Sequence, residues 1–127
     1  MNYRVTKIWL MGALGCLLWL SGRSEEAIKA TKDVEYAVVG SRHLKLDLYI
    51  PENYSINEVI VWIHGGAWRS GSKDKVPVVG LVDKGWAIAS VDYRLSGEAR
   101  FPAQIHDIKA AIRFLRAKSE KFGIKAH

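Results

Sequence analysis

Cysteine is almost absent from this sequence of 127 residues, because Cys16 is its only example. A single thiol cannot form an intrachain disulfide, and a zinc site built from several cysteines is excluded as well. Proline is also rare, with three residues, and no Pro-, Ser- or Gln-rich tract occurs, which excludes collagen-like and low-complexity sequence. Hydrophobic residues make up 49% of the chain and charged residues 25%, a composition typical of one globular domain.

No hydrophobic run is long enough to cross a bilayer. The N-terminal apolar run, 8–20, would form a helix about 20 Å long. The hydrocarbon core is about 30 Å thick, so we expect no stable membrane span. Basic residues precede the run and small residues follow it, namely Arg4 and Lys7 before it and Ser21 and Gly22 after it. This pattern predicts a signal peptide at 1–22, a linker at 23–33 and a secreted or periplasmic protein.

Lipoprotein anchoring at Cys16 is a less favoured alternative to simple export. Cys16 follows Ala13-Leu14-Gly15, which weakly resembles a lipoprotein processing site. The apolar run continues beyond the cysteine to Leu20, and this favours an ordinary residue of a signal sequence.

Acidic residues are fewer than basic ones, 13 against 19, which gives a formal net charge of +6. Six of the basic residues lie near the C-terminus with Glu120 as the only acid among them: Lys109, Arg113, Arg116, Lys118, Lys121 and Lys125. Helical spacing distributes them over a solvated face, and no aromatic residues alternate with them to stack on bases. We therefore expect no nucleic-acid partner.

The rest of the chain alternates between strand and helix patterns. Leu44, Leu46 and Leu48 alternate with polar residues, as in a strand with one solvated face, whereas the continuous apolar runs at 59–63 and 87–91 indicate parallel strands buried on both faces. The predicted elements are strands at 34–39, 43–49, 59–63 and 87–91, a helix at 76–84 and a helix from Pro102 to Gly123. This order predicts a three-layer α/β fold, with an antiparallel hairpin followed by a βαβα unit containing one parallel strand pair. Strand 59–63 is expected to be the core strand.

A glycine-rich segment, His64-Gly65-Gly66-Ala67-Trp68, directly follows the strand at 59–63. The carboxyl end of a parallel strand is where open α/β sheets place their ligands. Two glycines allow a sharp turn and bring backbone N–H groups close to a bound anion or oxyanion. A tight turn without any ligand explains the same residues equally well.

Nucleotide and metal sites are not indicated. A phosphate-binding loop requires lysine directly after its second glycine, but Ser72 follows Gly71 and Lys73 comes one residue later; the dinucleotide pattern G-x-G-x-x-G is absent from this turn. The four histidines do not have the helix-face spacing of metal ligands: His43, His64, His106 and His127. We therefore expect neither a cofactor nor a metal ion.

Three polar residues, two of which follow strands, are interpreted as structural. His106 is expected at the surface or in a cap, because its neighbour Asp107 points to another side of the helix. His64 is expected to brace the glycine turn, and Asp92 to fix its loop by hydrogen bonding or charge pairing.

Four motifs, taken in order, resemble the α/β-hydrolase fold, and in particular the esterase and lipase branch that includes acetylxylan and feruloyl esterase-like proteins. They lie at 61–68, at 86–91, at 92–95, and at Phe101-Pro102-Ala103 together with Asp107. The resemblance extends over 34–127, which it identifies as the N-terminal portion of an α/β-hydrolase domain.

The resemblance implies a role for each residue of the glycine-rich segment. The N–H groups of Gly66 and Ala67 would form part of the oxyanion hole, supported by His64 and Gly65. Ala67 departs from the triple-glycine version of the motif, but alanine keeps its N–H. Trp68 resembles a wall of the substrate pocket, and packing on the next loop is an equal alternative.

The family's G-x-S-x-G nucleophile elbow occurs nowhere in the chain. The resemblance thus implies a fragment of an exported serine carboxylic-ester hydrolase, truncated before its Ser-His-Asp triad and inactive alone. Its substrate would be a small ester or an acylated carbohydrate. A noncatalytic interaction product, or an amidase or peptidase of the same fold, remains an alternative. The bare edge of strand 59–63 predicts self-association of the fragment.

Overall fold

The computed structural model describes residues 28–52 and 58–125. The predicted signal peptide, Cys16, the first part of the predicted linker and His127 lie outside these ranges. The described elements are strands β1 (Ile28–Val39), β2 (Arg42–Pro51), β3 (Val59–Ile63) and β4 (Ala87–Val91), a 3₁₀ helix (Val79–Lys84), and helices α1 (Ala103–Ala117) and α2 (Ser119–Phe122).

The four strands form one mixed sheet in the order β1-β2-β4-β3. β1 pairs with β2, and β2 with β4, in antiparallel orientation, whereas β3 runs parallel to β4 with Ile60 opposite Ile88. The antiparallel hairpin and the parallel pair are thereby confirmed.

The sheet lies between two helical layers. Alternate residues of β4 face opposite sides, so Ala89 packs toward α1 in a core that includes Leu46 and Leu115, and Ile88 packs with Val82 of the 3₁₀ helix. The predicted three-layer α/β class is confirmed.

The prediction that 59–63 would be the core strand is wrong. All five residues of β4 are buried, whereas β3 is only partly buried and Ile63 is 39% exposed. β3 has β4 as its only strand partner in the part of the chain that the structure describes. An apolar run is therefore compatible with an edge strand as well as with a central one.

The predicted linker at 23–33 is wrong for 28–33, which belong to β1. Lys32 and Asp33 make this end of the strand polar, but they lie at a shift in the register of β1, and the backbone pairs with β2 on both sides of them. The solvated face predicted for the second strand is also wrong at Asp47, which is fully buried because the segment around Lys73 covers it.

Two helix predictions need corrected bounds. The helix predicted at 76–84 is a single 3₁₀ segment, and Gly85 ends it in a left-handed conformation with φ 88°. The helix predicted from Pro102 to Gly123 is interrupted at Lys118, and Gly123 ends only the short α2. Among the helices in the described ranges, none has the length and hydropathy needed to span a bilayer.

Candidate functional site

The segment from His64 to Gly71, called the glycine bend below, leaves the carboxyl end of β3. Three successive residues in it have positive φ angles, Gly66 at 119°, Ala67 at 54° and Trp68 at 62°. The left-handed region costs about 1 kcal/mol or more for a residue with a side chain, and such strain is concentrated at functional sites. Ala67 lies in the part of this region that alanine can reach, which explains how the bend forms without a third glycine.

Close approach within the bend requires two of its glycines. A Cβ atom on Gly66 would lie 2.1 Å from the carbonyl oxygen of Ser70. A Cβ atom on Gly71 would lie 2.3 Å from Nδ1 of His64. Gly65, by contrast, has open space where a Cβ would be.

The peptide planes of the bend direct two N–H groups outward. The carbonyl of Gly65 accepts a hydrogen bond from Nδ1 of His64 at 2.9 Å, and the carbonyl of Gly66 accepts from the amides of Arg69 and Ser70 at 3.0 and 3.2 Å. In a trans peptide the C=O and N–H bonds point in opposite directions. The N–H of Gly66 therefore points away from the His64 ring, and the N–H of Ala67 points away from the turn.

Both amides are available to a ligand. Gly66 and Ala67 are exposed, and their N–H groups donate to no other residue in the described ranges. Successive amides in left-handed or turn conformations form concavities that attract anions. The arrangement can thus bind a negatively charged oxygen.

The buried side chain of His64 packs against Tyr93 and stabilises the bend. Its ring is 6% exposed and stacks on Tyr93 with centroids 4.4 Å apart, while the Tyr93 hydroxyl donates to the carbonyl of His64 at 2.8 Å. Nδ1 donates to the carbonyl of Gly65, and the buried Nε2 makes no hydrogen bond within the described residues and lies 3.8 Å from Oδ1 of Asp92. The ring thus faces the bend and β4 rather than solvent.

Trp68 contacts the loop that follows β4. Its indole meets the Tyr93 ring edge-on at 5.3 Å, and its carbonyl accepts from the amide of Ser96 at 2.7 Å. The side chain is still 42% exposed. It packs on the next loop and also presents a free aromatic surface beside the bend.

Asp92 fixes its surroundings through hydrogen bonds. Its Oδ1 accepts from the amide of Lys73 at 3.1 Å, and its backbone carbonyl accepts from the Tyr36 hydroxyl at 2.6 Å. Burial raises the pKa of Tyr36, so this hydroxyl stays a donor at neutral pH. The structural interpretation of Asp92 agrees with these contacts.

Sequence reasoning missed two buried ion pairs. Arg94 donates from Nε at 2.8 Å and from Nη2 at 2.7 Å to the buried carboxylate of Asp107, and its amide donates at 3.0 Å. This pair ties the loop after β4 to α1. In the sequence, the only signal for this pair is that Arg94 and Asp107 each belong to one of the motifs that carry the α/β-hydrolase resemblance, and that the arginine precedes the aspartate.

The second pair joins Lys73 to Asp47, with Nζ 2.9 Å from Oδ1. Burial acts to raise the pKa of Asp47, but the amide of Asp33 and the ammonium groups of Lys32 and Lys73 outweigh it, so the pKa is lowered. The carboxylate is therefore ionised at neutral pH. The ammonium group of Lys73 is engaged in this ion pair, which is not the role that a lysine has in a phosphate-binding loop.

Metal ligation finds no support within 28–52 and 58–125, where no group of three or more His, Cys, Asp or Glu side chains could hold an ion. His106 is exposed on α1, and Nδ1 of His43 lies 2.6 Å from Glu35 at the surface.

Solved structures with the same fold include proteins named as esterases. The chain superposes on a bifunctional GH43-CE protein of Bacteroides eggerthii with a TM-score of 0.68 and 40% identity, covering 76% of this chain and 14% of that one. It superposes on a truncated carbohydrate esterase from gut microbiota with a TM-score of 0.70 and 33% identity, covering 81% of this chain and 38% of the other. The fold is that of the α/β-hydrolase esterases.

The chain belongs to the BD-FAE family, which matches residues 46–127. Among curated relatives, Esterase LipC of Mycobacterium tuberculosis is 38% identical over 68 residues, which are 51% of this chain and 17% of LipC. The chain thus spans between 14% and 38% of the lengths of these three proteins.

Proposed function

We propose that this chain is the N-terminal part of an exported serine carboxylic-ester hydrolase, called the full-length esterase below, whose oxyanion is held by the amides of Gly66 and Ala67. The observation that carries the proposal is the outward direction of these two N–H groups at the carboxyl end of β3. Membership in the BD-FAE family supports it.

The proposed reaction is acyl transfer. A serine beyond residue 127 attacks the ester carbonyl, a histidine takes its proton, and the carbonyl oxygen becomes negatively charged. The amides of Gly66 and Ala67 donate to that oxygen. Because their peptide planes are already fixed by hydrogen bonds to Gly65 and Gly66, they need no reorganisation when charge develops.

The proposed substrate is a small ester or an acylated carbohydrate. Two of the similar structures carry carbohydrate-esterase or CE in their names, which supports the second choice. The exposed face of Trp68 supports it too, because aromatic rings offer a flat apolar surface for a substrate beside the oxyanion site. Export by a signal peptide at 1–22, with lipidation of Cys16 as the alternative, is part of the same proposal.

The first experiment reads the coding sequence beyond codon 127. An in-frame G-x-S-x-G elbow supports the full-length esterase, whereas a stop codon at that point contradicts it and favours a noncatalytic interaction product.

The second experiment measures p-nitrophenyl acetate hydrolysis by the full-length esterase and its Gly66→Ala variant. The added methyl collides with Ser70 and turns the bend, so kcat is expected to fall about 100- to 1,000-fold, the effect of losing one oxyanion donor. Gly80→Ala is the matched control, because Gly80 has open space around it. Equal activities of the two variants would contradict the assignment. Hydrolysis of anilides in preference to esters would indicate an amidase instead.

A further inference from the structure

We infer that Lys73 is a positioning residue for the oxyanion amides: its buried ammonium, held by Asp47, fixes the far end of the glycine bend. The inference rests on the proposed function of Gly66 and Ala67 and adds to it a residue outside the bend.

Lys73 is unusual first in its burial. Lysine is among the residue types that are almost never buried without a partner, and Lys73 is only 7% exposed. Its Nζ lies 2.9 Å from Oδ1 of Asp47 and 3.0 Å from Oδ1 of Asp33, which provides the necessary pairing. Asp47 belongs to β2 in the centre of the sheet, so the ammonium is attached to a rigid element.

The backbone of Lys73 is attached to the sheet as well. Its N–H donates to Asp92 at 3.1 Å, and its carbonyl accepts from Oγ of Ser90 at 2.7 Å. Ser90 lies in β4 and Asp92 directly follows it. Lys73 is thus fixed at three points: its side chain by Asp47 of β2, its carbonyl by Ser90 of β4, and its N–H by Asp92 directly after β4.

The glycine bend is therefore held at both ends. Tyr93 fixes the carbonyl of His64 at the start, and Lys73 follows two residues after Gly71 at the end. Gly66 and Ala67 lie between these anchors. The left-handed conformations of Ala67 and Trp68 are strained, so release of one anchor allows the backbone to relax and turns the amides away from the oxyanion.

A small displacement of this kind affects the rate more than binding. A misplacement of about 1 Å can cost about 100-fold in rate. Amides aimed at the tetrahedral oxygen act in the transition state, so their misalignment lowers kcat and leaves KM nearly unchanged.

Lys32 provides a matched control. Its Nζ contacts the other oxygen of the same carboxylate, Oδ2 of Asp47, also at 2.9 Å. It lies on β1, however, and its side chain is half exposed. Replacing it removes one cation from Asp47 without detaching the bend.

The experiment compares Lys73→Met and Lys32→Met in the full-length esterase with p-nitrophenyl acetate. We expect kcat to fall about 10- to 100-fold in Lys73→Met, with KM changed less than about threefold, and little change in Lys32→Met. The double variant Asp47→Asn with Lys73→Met removes a buried carboxylate that has lost one of its two lysine partners, and we expect it to melt at a higher temperature than Lys73→Met but to stay slow.

Two kinetic results would overturn the inference: equal kcat losses in the two lysine variants, or recovery of kcat in the double variant. Amide hydrogen exchange of Arg69 and Ser70, whose N–H groups donate to the carbonyl of Gly66 and so hold the bend closed, supplies a readout that needs no activity. Faster exchange in Lys73→Met than in Lys32→Met supports the anchor even if the wild-type protein hydrolyses no ester, a result that would contradict only the proposed function. Unchanged exchange contradicts the anchor.

Discussion

Replacing Arg94 by methionine is expected to destabilise the full-length esterase strongly. The guanidinium makes two charged hydrogen bonds to Asp107, whose side chain is 3% exposed, while the Arg94 side chain is 18% exposed. Methionine keeps much of the aliphatic length but leaves the carboxylate with a single donor, the amide of residue 94.

The magnitude follows from the burial of the pair. Removing one partner of a buried ion pair costs about 3–5 kcal/mol, because the remaining charge is left without compensation. An exposed pair is worth about 0.2–1 kcal/mol. Arg42 offers the comparison, since its Nε lies 2.9 Å from Glu98 while its side chain is 41% exposed.

The assay is urea unfolding followed by circular dichroism for Arg94→Met and Arg42→Met. We expect the free energy of unfolding to fall by at least about 2 kcal/mol more in the first variant than in the second. Equal losses would refute the reasoning from burial and would mean that Asp107 finds water or another donor once Arg94 is gone.

Three further outcomes are expected. The pKa of Asp47 is lowered on folding, so its contribution to stability is complete above its ordinary pKa of about 3.9 and disappears as the pH falls through the lower folded value. The free energy of unfolding, measured as the pH is lowered, should therefore fall less steeply in Asp47→Asn than in the wild type. An unchanged slope would contradict this. Residues 23–127 produced alone should hydrolyse no p-nitrophenyl acetate and should self-associate through β3, and Ile63→Lys should shift size-exclusion profiles toward monomer; a monodisperse wild-type monomer would argue against the free edge. Ala67→Gly should keep kcat within about threefold, because glycine keeps the N–H and adopts the same left-handed conformation without strain, and a larger loss would show that the methyl group itself is needed.

The sequence predicts the sheet well where its signal is local. The run at 59–63 is apolar at every position and the run at 87–91 at every position except Ser90, and both form strands of the parallel pair. Whether such a strand is central or at the edge depends on its neighbours, which explains why the more buried of the two is β4 rather than β3.

The buried charges were not predictable in this way. Asp47 occupies a position that alternates with Leu46 and Leu48, so its pattern indicates solvent, yet a lysine far along the chain covers it. The same holds for the polar start of β1, which is ordered by pairing with β2. Long-range partners of charged residues leave no periodic signal in one sequence.

The fit between Gly71 and the imidazole of His64 has an evolutionary consequence. A methyl group at position 71 would lie 2.3 Å from the ring nitrogen and 2.5 Å from the backbone carbonyl oxygen of Gly65, and φ here is +104°, so a smaller side chain at position 64 would remove only one of three obstacles. That exchange would also remove the stacking partner of Tyr93. Position 71 should therefore remain glycine whatever side chain position 64 carries, and directed evolution that randomises both codons in one library should still return glycine at position 71.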